Sequence, residues 1–214
     1  MKKSVIIFFM LLSAYCGGQT YSQKWADVNY VGDGQVYHNA DIYLPKTVKA
    51  SYPVVVYIYG SAWQSNNSKT SDMNTVGAAL LDAGYAVVSI NHRSSTDAKW
   101  PAQINDVKAA IRFVRGNAAK YKFDTCFVGI SGSSSGGHLS SIAGVSCGVK
   151  KFTVGSTTMD IEGTLGNFKE LQQLGRCRMR LVRPDVPPEN GRLRQYYLAR
   201  RCFFARIIDS WLCH

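Results

Sequence analysis

The sequence lacks several features that would direct it to a particular class of protein. Its six cysteines include no C-x-x-C pair and are scattered without metal spacing, so neither a metal site nor any cofactor is expected. It has no internal repeat and no long linker, and 214 residues suffice for one domain with a sizeable core. No apolar run approaches the roughly 20 residues of a membrane span, so no stable span is expected once a leader is removed.

Acidic residues are also scarce, with 14 Asp and Glu against 25 Lys and Arg and a net charge of +11. Taken alone, this charge would predict an anionic polymer as partner. The distribution is uneven, however. Twelve Lys and three Arg precede Lys169, whereas one Lys and nine Arg occupy residues 169–214. Residues 169–214 therefore hold ten basic and four acidic residues, and their positive charge is much denser than that of the rest of the chain. No nucleic-acid partner is expected.

The first residues resemble an export signal. Lys2 and Lys3 precede a short apolar stretch at residues 4–14, and small residues follow. We therefore expect a signal peptide over residues 1–22 and a secreted or periplasmic protein. Cys16 offers a lipoprotein anchor as the alternative, which the bulky Tyr15 before it disfavours.

Hydrophobic periodicity predicts an α/β fold. Two alternating segments joined by a Gly-rich turn predict an antiparallel hairpin, and three continuous apolar runs predict strands buried on both faces. Helical spacing separates these runs, so a mostly parallel sheet with helices on both faces is expected. The predicted strands are 26–30, 40–44, 53–59, 85–90, 125–130 and 151–157, and the predicted helices are 71–83, 101–119 and one beginning near Gly137.

One motif carries chemistry. Residues 132–136 form a G-x-S-x-G with Ser134 at its centre, directly after an apolar strand and before a predicted helix. This is the setting of a nucleophile elbow, in which a tight turn strains the serine and requires small residues two positions away on each side. The alternative is a flexible serine-rich loop. Ser133 and Ser135 are rival hydroxyls, but only Ser134 has glycine on both sides at that distance.

The segment 132–139, G-S-S-S-G-G-H-L, resembles the G-x-S-x-G-G-H-L of esterases and lipases of the α/β-hydrolase superfamily, including secreted feruloyl/acetyl-xylan-esterase-like enzymes. Residues 57–63 resemble their I-H-G-G-G-W loop, and residues 91–94 with 100–110 resemble their Y-R-L-S … F-P-A-Q-I-x-D-V-K-A-A segment. The resemblance covers about residues 25–168. It implies an α/β-hydrolase fold, truncated here after about the sixth strand.

The resemblance also implies site residues. Ser134 would be the nucleophile, and the backbone N–H groups of Ser135, Ser61 and Ala62 would form the oxyanion hole. Tyr59 stands where the family has His, and Ser61 stands where it has Gly. The sequence therefore supports Ser61 and Ala62 less strongly than Ser135 as oxyanion donors. A non-glycine residue at positive φ would be strained there.

Other polar residues receive structural roles. His138, four residues after the nucleophile, is expected to pack or to form a hydrogen bond rather than to act as base. His38 and His92 are expected at strand ends or on the surface. Arg93 and Asp106 are expected to form an ion pair, either structural or solvated and of little energetic weight.

The acid and the histidine of a triad are not evident. In the family both follow the nucleophile, but the only downstream histidine here is His214, the last residue. Asp160, Asp185 and Asp209 follow Ser134 without ending a convincing strand. This chain is therefore expected to be inactive as written.

The arginine-rich tail suggests a reason. Residues 172–185, Q-Q-L-G-R-C-R-M-R-L-V-R-P-D, permit S-S-S-V-D-A-V-C-D-W-F-G-P-T when their codons are read one nucleotide later. Such a segment is what a family member would carry there. We therefore expect a signal peptide at 1–22, a partial α/β-hydrolase domain at 23–168 and an out-of-frame tail at 169–214. A genuine basic extension is the alternative.

The expected function is that of an exported carboxylic-ester hydrolase acting on a small-molecule or polysaccharide-linked ester. A lipase, peptidase or amide hydrolase remains open within the fold. The alternative from another class is a non-catalytic exported protein whose basic tail binds an anionic polymer.

Overall fold

The computed structural model describes residues 20–171 and 181–182. Its strands are β1 Tyr21–Asn29, β2 Asn39–Pro45, β3 Tyr52–Ile58, β4 Ala86–Ile90, β5 Phe123–Gly132, β6 Lys151–Val154, β7 Thr157–Asp160 and β8 Leu181–Val182. Its α-helices are α1 Ala78–Asp82, α2 Ala102–Gly116, α3 Ala118–Tyr121 and α4 Ser135–Val145, with a 3-10 turn at Val36–His38 and a π-helical turn at Met73–Gly77. The predicted helix 101–119 is thus broken at Asn117.

A six-stranded sheet in the order β1-β2-β4-β3-β5-β8 forms the centre of the fold. The pairs β1–β2 and β2–β4 are antiparallel, and the remaining neighbours are parallel. The predicted hairpin and the three predicted apolar strands are all present, but β5 is not buried on both faces throughout, since Thr125 and Cys126 are exposed. Burial on both faces explains why β3 and β4 are continuous apolar runs rather than alternating ones.

Helices cover both faces of the sheet, as the sequence predicts. On one face, alternate residues of β3 such as Val54, Val56 and Ile58 pack with α2 and α4. On the other, Val55 and Tyr57 pack with the π-helical turn and α1. Alternate residues of a strand point to opposite faces of the sheet, and each face is covered by the apolar side of a helix, whose residues recur about every 3.6 positions.

The strand predicted at residues 151–157 forms, but not within the main sheet. β6 pairs with β7 in a separate two-stranded antiparallel hairpin whose residues are mostly exposed. The sixth strand of the main sheet is instead β8, which pairs in parallel with β5 at Ile130 and Ser131. A short apolar run does not reveal which sheet a strand joins.

Buried charges connect α2 to the segment after β7. Lys108 and Arg112 are almost completely buried, and both donate to the carboxylate of Glu162. Lys108 Nζ also donates to the carbonyls of Ser146 and Val149. These contacts pair the two buried cations with a carboxylate and hold Glu162 against α2.

In the part of the chain that the structure describes, no helix is both long and apolar enough to cross a membrane. The same residues contain no cluster of three His, Cys, Asp or Glu side chains suited to a metal ion. Of the two cysteines described, Cys126 is an exposed free thiol and Cys147 is disulfide-bonded. Nearly all of the proposed signal peptide and most of the proposed tail lie outside the described residues.

Candidate active site

Ser134 lies between the end of β5 and the first turn of α4, in the position expected of a nucleophile elbow. Its backbone adopts φ 49° and ψ −118°, a conformation that costs a non-glycine residue about 1–3 kcal/mol. The residue is exposed. The observed strain means that the surrounding structure holds the serine in a conformation that it would not adopt by itself.

The glycines around Ser134 are required by close backbone packing. A Cβ on Gly132 would lie 2.5 Å from the backbone of Gly136, and one on Gly136 would lie 2.1 Å from the carbonyl oxygen of Ile58. A Cβ on Gly60 would lie 2.9 Å from the Cβ of Ser134. A side chain at any of these positions would therefore displace the strand ends that form the elbow.

The three serine hydroxyls of the motif differ in their hydrogen-bond partners. The Ser133 hydroxyl donates to Asp72 Oδ2 at 2.8 Å, and the Ser135 hydroxyl accepts the backbone N–H of Ser61 at 2.9 Å. Within residues 20–171, no hydrogen bond engages the Ser134 hydroxyl. Ser134 is thus the hydroxyl that stays available, although its catalytic role remains a prediction.

The N-terminus of α4 provides a donor beside this hydroxyl. The N–H groups of Gly136 and Gly137 both bond to Ser133 O, at 2.8 and 3.2 Å, and that of His138 bonds to Ser134 O at 3.0 Å. Among the described residues, the N–H of Ser135 has no such partner. An unpaired amide at the positive end of a helix dipole is suited to an oxyanion.

The loop after β3 supplies the other two predicted donors, the backbone N–H groups of Ser61 and Ala62. The two differ in backbone conformation and in hydrogen bonding. Gln64 N–H donates to Ser61 O at 2.9 Å, and the central residues Ala62 and Trp63 have φ of 50° and 61°. Positive φ at both central positions is typical of a type I′ turn, which ordinarily favours glycine or asparagine. The predicted strain is real, but it falls on Ala62 and Trp63 rather than on Ser61.

The Ser61 N–H donates to Ser135 Oγ and is therefore not available to an oxyanion in this structure. The bond instead holds the loop against the first turn of α4. Within the described residues, the Ala62 N–H forms no hydrogen bond. Among the three predicted oxyanion donors, Ser135 N–H and Ala62 N–H are therefore the two that have no hydrogen bond within the described residues.

Beneath this loop, Tyr59 stacks on His92, with ring centroids 5.0 Å apart and planes inclined by 15°. Both residues have 0% relative exposure. The Tyr59 hydroxyl donates to Ser65 O at 2.9 Å and so ties together the two ends of the loop. Burial raises the pKa of Tyr59 to about 12 and lowers the pKa of His92, so both rings are neutral at pH 7.

Sequence reasoning missed this pair, although its signal was present. The family pattern has His where this chain has Tyr59, and Tyr where it has His92. The two departures compensate each other, because they place one residue of each kind in a single stacked pair. Ser95 N–H donates to Trp63 O at 2.7 Å and provides a second contact between this segment and the loop.

Among the described residues, the other two histidines, His38 and His138, form no hydrogen bond with the Ser134 hydroxyl. His38 is buried rather than at the surface, because its two ring nitrogens contact the carboxylates of Asp33 at 2.7 Å and Asp106 at 3.2 Å. His138 is exposed on α4 and packs against Trp63 and Trp100, with centroids 5.4 and 6.3 Å away. His92, like His38, is at a strand end but not on the surface.

Arg93 and Asp106 form an ion pair, and of the two predicted alternatives it is the structural one rather than the solvated one. Asp106 is fully buried and accepts both the backbone N–H of Arg93, at 2.8 Å, and its guanidinium. Removing either partner would leave a buried charge or an unpaired amide. This pair anchors the segment that follows β4, on which the loop with Ala62 rests.

No triad acid is assembled among the described residues. Asp160 ends β7, outside the main sheet, and its carboxylate accepts the N–H of Gly163 at 2.9 Å. Asp185, Asp209 and His214 lie outside the described residues. The described part therefore contains the elbow and the candidate oxyanion donors but no complete charge relay.

A strained serine between a parallel strand and a helix N-terminus, in a sheet of this order, is the nucleophile-elbow arrangement of an α/β-hydrolase. Comparison with known families gives the more particular assignment. The model of the BD-FAE family matches residues 40–187, and the chain belongs to that family.

Solved structures and curated proteins agree with this assignment. The chain is 58% identical to a truncated form of a carbohydrate esterase from gut microbiota, with a TM-score of 0.71, covering 72% of this chain and 54% of that one. It is also 58% identical to a bifunctional GH43-CE protein of Bacteroides eggerthii, with a TM-score of 0.69, covering 70% of this chain and 21% of that one.

Among curated proteins, it is 36% identical over 108 residues to the probable carboxylic ester hydrolase LipM of Mycobacterium tuberculosis, covering 50% of this chain. It is 39% identical over 94 residues to esterase LipQ of the same organism, covering 44% of this chain. The matches span only 25% and 22% of those relatives' own lengths.

Proposed function

We propose that this chain is the N-terminal part of an exported carboxylic-ester hydrolase with Ser134 as nucleophile. The observation that carries the proposal is the strained, exposed Ser134, whose hydroxyl is unengaged in the described residues while its two neighbouring serines are engaged. Conformational strain of this kind is retained where function requires it.

The chemistry follows from this arrangement. Ser134 Oγ attacks the ester carbonyl carbon while a base removes its proton, and the carbonyl oxygen becomes an oxyanion beside the N–H groups of Ser135 and Ala62. Collapse of the tetrahedral intermediate expels the alcohol, which takes up the proton, and leaves an acyl-serine. Water then hydrolyses the acyl-serine to the carboxylic acid. Ser61 supports the donor loop through its bond to Ser135.

A carbohydrate ester is the substrate class that we propose. The supporting observation is the identity of 58% to a protein described as a carbohydrate esterase, which is far higher than the identity to the curated esterases. Export also supports a polymeric substrate outside the cell, and the signal-like residues 1–22 support export. A lipoprotein anchor at Cys16 remains the weaker alternative.

The acid and the base are proposed to belong to residues that this reading frame does not encode after about Phe168. The arginine-rich composition of residues 169–214 supports this proposal, as does the family-like segment permitted by a one-nucleotide shift. Two observations favour a genuine C-terminal segment instead: the family match extends to residue 187, and β8 pairs with β5. The DNA sequence around the codon for Phe168 distinguishes the two.

The activity test compares the 214-residue chain with a frame-repaired chain extended to its natural stop. Removal of the triad partners leaves only residual catalysis, so we expect negligible turnover of a short-chain aryl ester by the former and clear turnover by the latter. Ser134→Ala should abolish the restored activity, whereas Ser141→Ala, on the same helix, should retain it. Substantial Ser134-dependent hydrolysis by the 214-residue chain would contradict the proposed loss of acid and base.

A further inference from the structure

Three aromatic rings gather at one side of the elbow from three separate elements. Trp63 comes from the loop after β3, Trp100 from the segment before α2, and His138 from the first turns of α4. The rings of Trp63 and His138 meet edge to face at 5.4 Å, and Trp100 approaches the same imidazole at 6.3 Å. His138 thus contacts both indoles.

The cluster formed by Trp63, Trp100 and His138 adjoins the nucleophile. The backbone N–H of His138 bonds to Ser134 O at 3.0 Å, which places it one helical turn, about 5.4 Å, beyond the serine. Trp63 directly follows Ala62, the candidate oxyanion donor. The cluster therefore lies next to both the nucleophile and a candidate oxyanion donor.

Both indoles are left partly open to solvent. Trp63 and Trp100 are 36% and 41% exposed, although Trp25 of the same chain packs against Tyr121 with ring centroids 5.0 Å apart. The Trp63 backbone is held at positive φ by its turn and by the bond from Ser95 N–H. A large apolar side chain that remains exposed beside a reactive group is suited to binding a ligand.

We propose that this cluster is a subsite for a sugar ring of the substrate. A sugar ring presents C–H groups on its faces and hydroxyls around its rim, so it can cover a half-exposed indole while its rim remains hydrated. The polar imidazole beside the indoles offers a hydrogen-bonding partner to such a rim. A purely apolar acyl chain gains most from an enclosed apolar surface, which two exposed indoles beside an exposed imidazole do not provide. This proposal rests on the proposed function, and it assigns the sugar part of the ester to the cluster.

The test is a binding measurement on the 214-residue chain, which requires no turnover. Xylotetraose, a neutral oligosaccharide, is titrated while the indole N–H resonances are followed by nuclear magnetic resonance. The resonances of Trp63 and Trp100, assigned by their Leu variants, should shift in a saturable manner, whereas that of Trp25 should not. Trp63→Leu and Trp100→Leu should each weaken binding about tenfold, the scale of one aromatic contact.

Phe152→Leu is the matched control, because Phe152 is an aromatic residue of similar exposure on the separate β6–β7 hairpin. It should leave binding unchanged. The proposal is overturned if neither indole responds, if the two Trp variants bind as the parent does, or if the phenolic acid ferulate shifts both indoles while xylotetraose does not.

Failure of the subsite and failure of the proposed function give different results. Hydrolysis that depends on Ser134 in the frame-repaired chain, without a sugar response at Trp63 and Trp100, removes the subsite alone. A saturable sugar response without any Ser134-dependent hydrolysis removes the esterase proposal and leaves a sugar-binding site.

Discussion

Exchanging Tyr59 and His92 tests whether these two residues act as one unit beneath the loop that carries Ala62. The perturbation is a double-mutant cycle of Tyr59→His, His92→Tyr and the variant that combines them. The combined variant restores the arrangement suggested by the family pattern, with His on the loop and Tyr after β4. Both side chains are fully buried and stacked at 5.0 Å, so neither can change size without the other responding.

The structure gives the expected magnitudes. Tyr59→His removes the hydroxyl that donates to Ser65 O, at about 1 kcal/mol, and disturbs the stacking, at about 0.5–1.5 kcal/mol. His92→Tyr forces a larger ring against Tyr59 and should cost about 1–3 kcal/mol. The combined variant keeps the total ring volume, so it should be more stable than the sum of the single effects predicts by about 1–3 kcal/mol.

Urea unfolding followed by circular dichroism measures the free energy of unfolding of each variant. A control cycle combines His92→Tyr with Tyr85→His, because Tyr85 packs against Phe127 instead of His92. That control should be additive within about 0.5 kcal/mol. Additive behaviour of the Tyr59–His92 cycle would refute the reasoning, since it would mean that the two rings are not coupled.

Three further predictions concern strain, pH and a buried charge. Ser134→Gly should raise the free energy of unfolding by about 1–3 kcal/mol, measured by urea unfolding, because it relieves the positive-φ strain; an unchanged or lower stability would contradict the elbow conformation. Burial lowers the pKa of His92, so its contribution to stability is complete above the ordinary imidazole pKa of about 6.5 and falls as the pH drops below it. The urea midpoint should therefore decline below that pH, and less steeply in His92→Phe than in the parent. Glu162→Gln should destabilise the fold by about 3–5 kcal/mol, measured by urea unfolding, because it leaves the fully buried Lys108 without its carboxylate; a loss below about 1 kcal/mol would show that this pair is solvated.

The sequence predicted the parts of this fold whose burial is set by local pattern. β3 and β4 are continuous apolar runs because both of their faces are covered, and the elbow is evident because Gly132 and Gly136 tolerate no side chain. The segment 151–157 illustrates the limit. Its pattern indicates a strand but contains no information about its partner, and β6 pairs with β7 instead of extending the main sheet.

In the candidate site too, the sequence predicts which residues take part but not which tertiary partners they contact. The motif and the family resemblance predicted Ser134, Ser135, Ser61 and Ala62 as site residues, but they could not show that Ser61 N–H is occupied by the side chain of Ser135. That bond joins residues 74 positions apart and depends on how the loop and α4 approach each other. The compensating exchange of Tyr59 and His92 is likewise a tertiary contact, which becomes apparent only when two motifs are considered as a pair.

The most direct test of the central claim, that Ser134 is the nucleophile of an esterase, is the location of a covalent adduct. The frame-repaired chain is treated with a reactive fluorophosphonate and digested, and the modified peptide is sequenced by mass spectrometry. We expect a single adduct on Ser134, which is lost in Ser134→Ala and retained in Ser141→Ala. An adduct on Ser133 or Ser135, or the absence of any adduct from a folded frame-repaired chain, would contradict it.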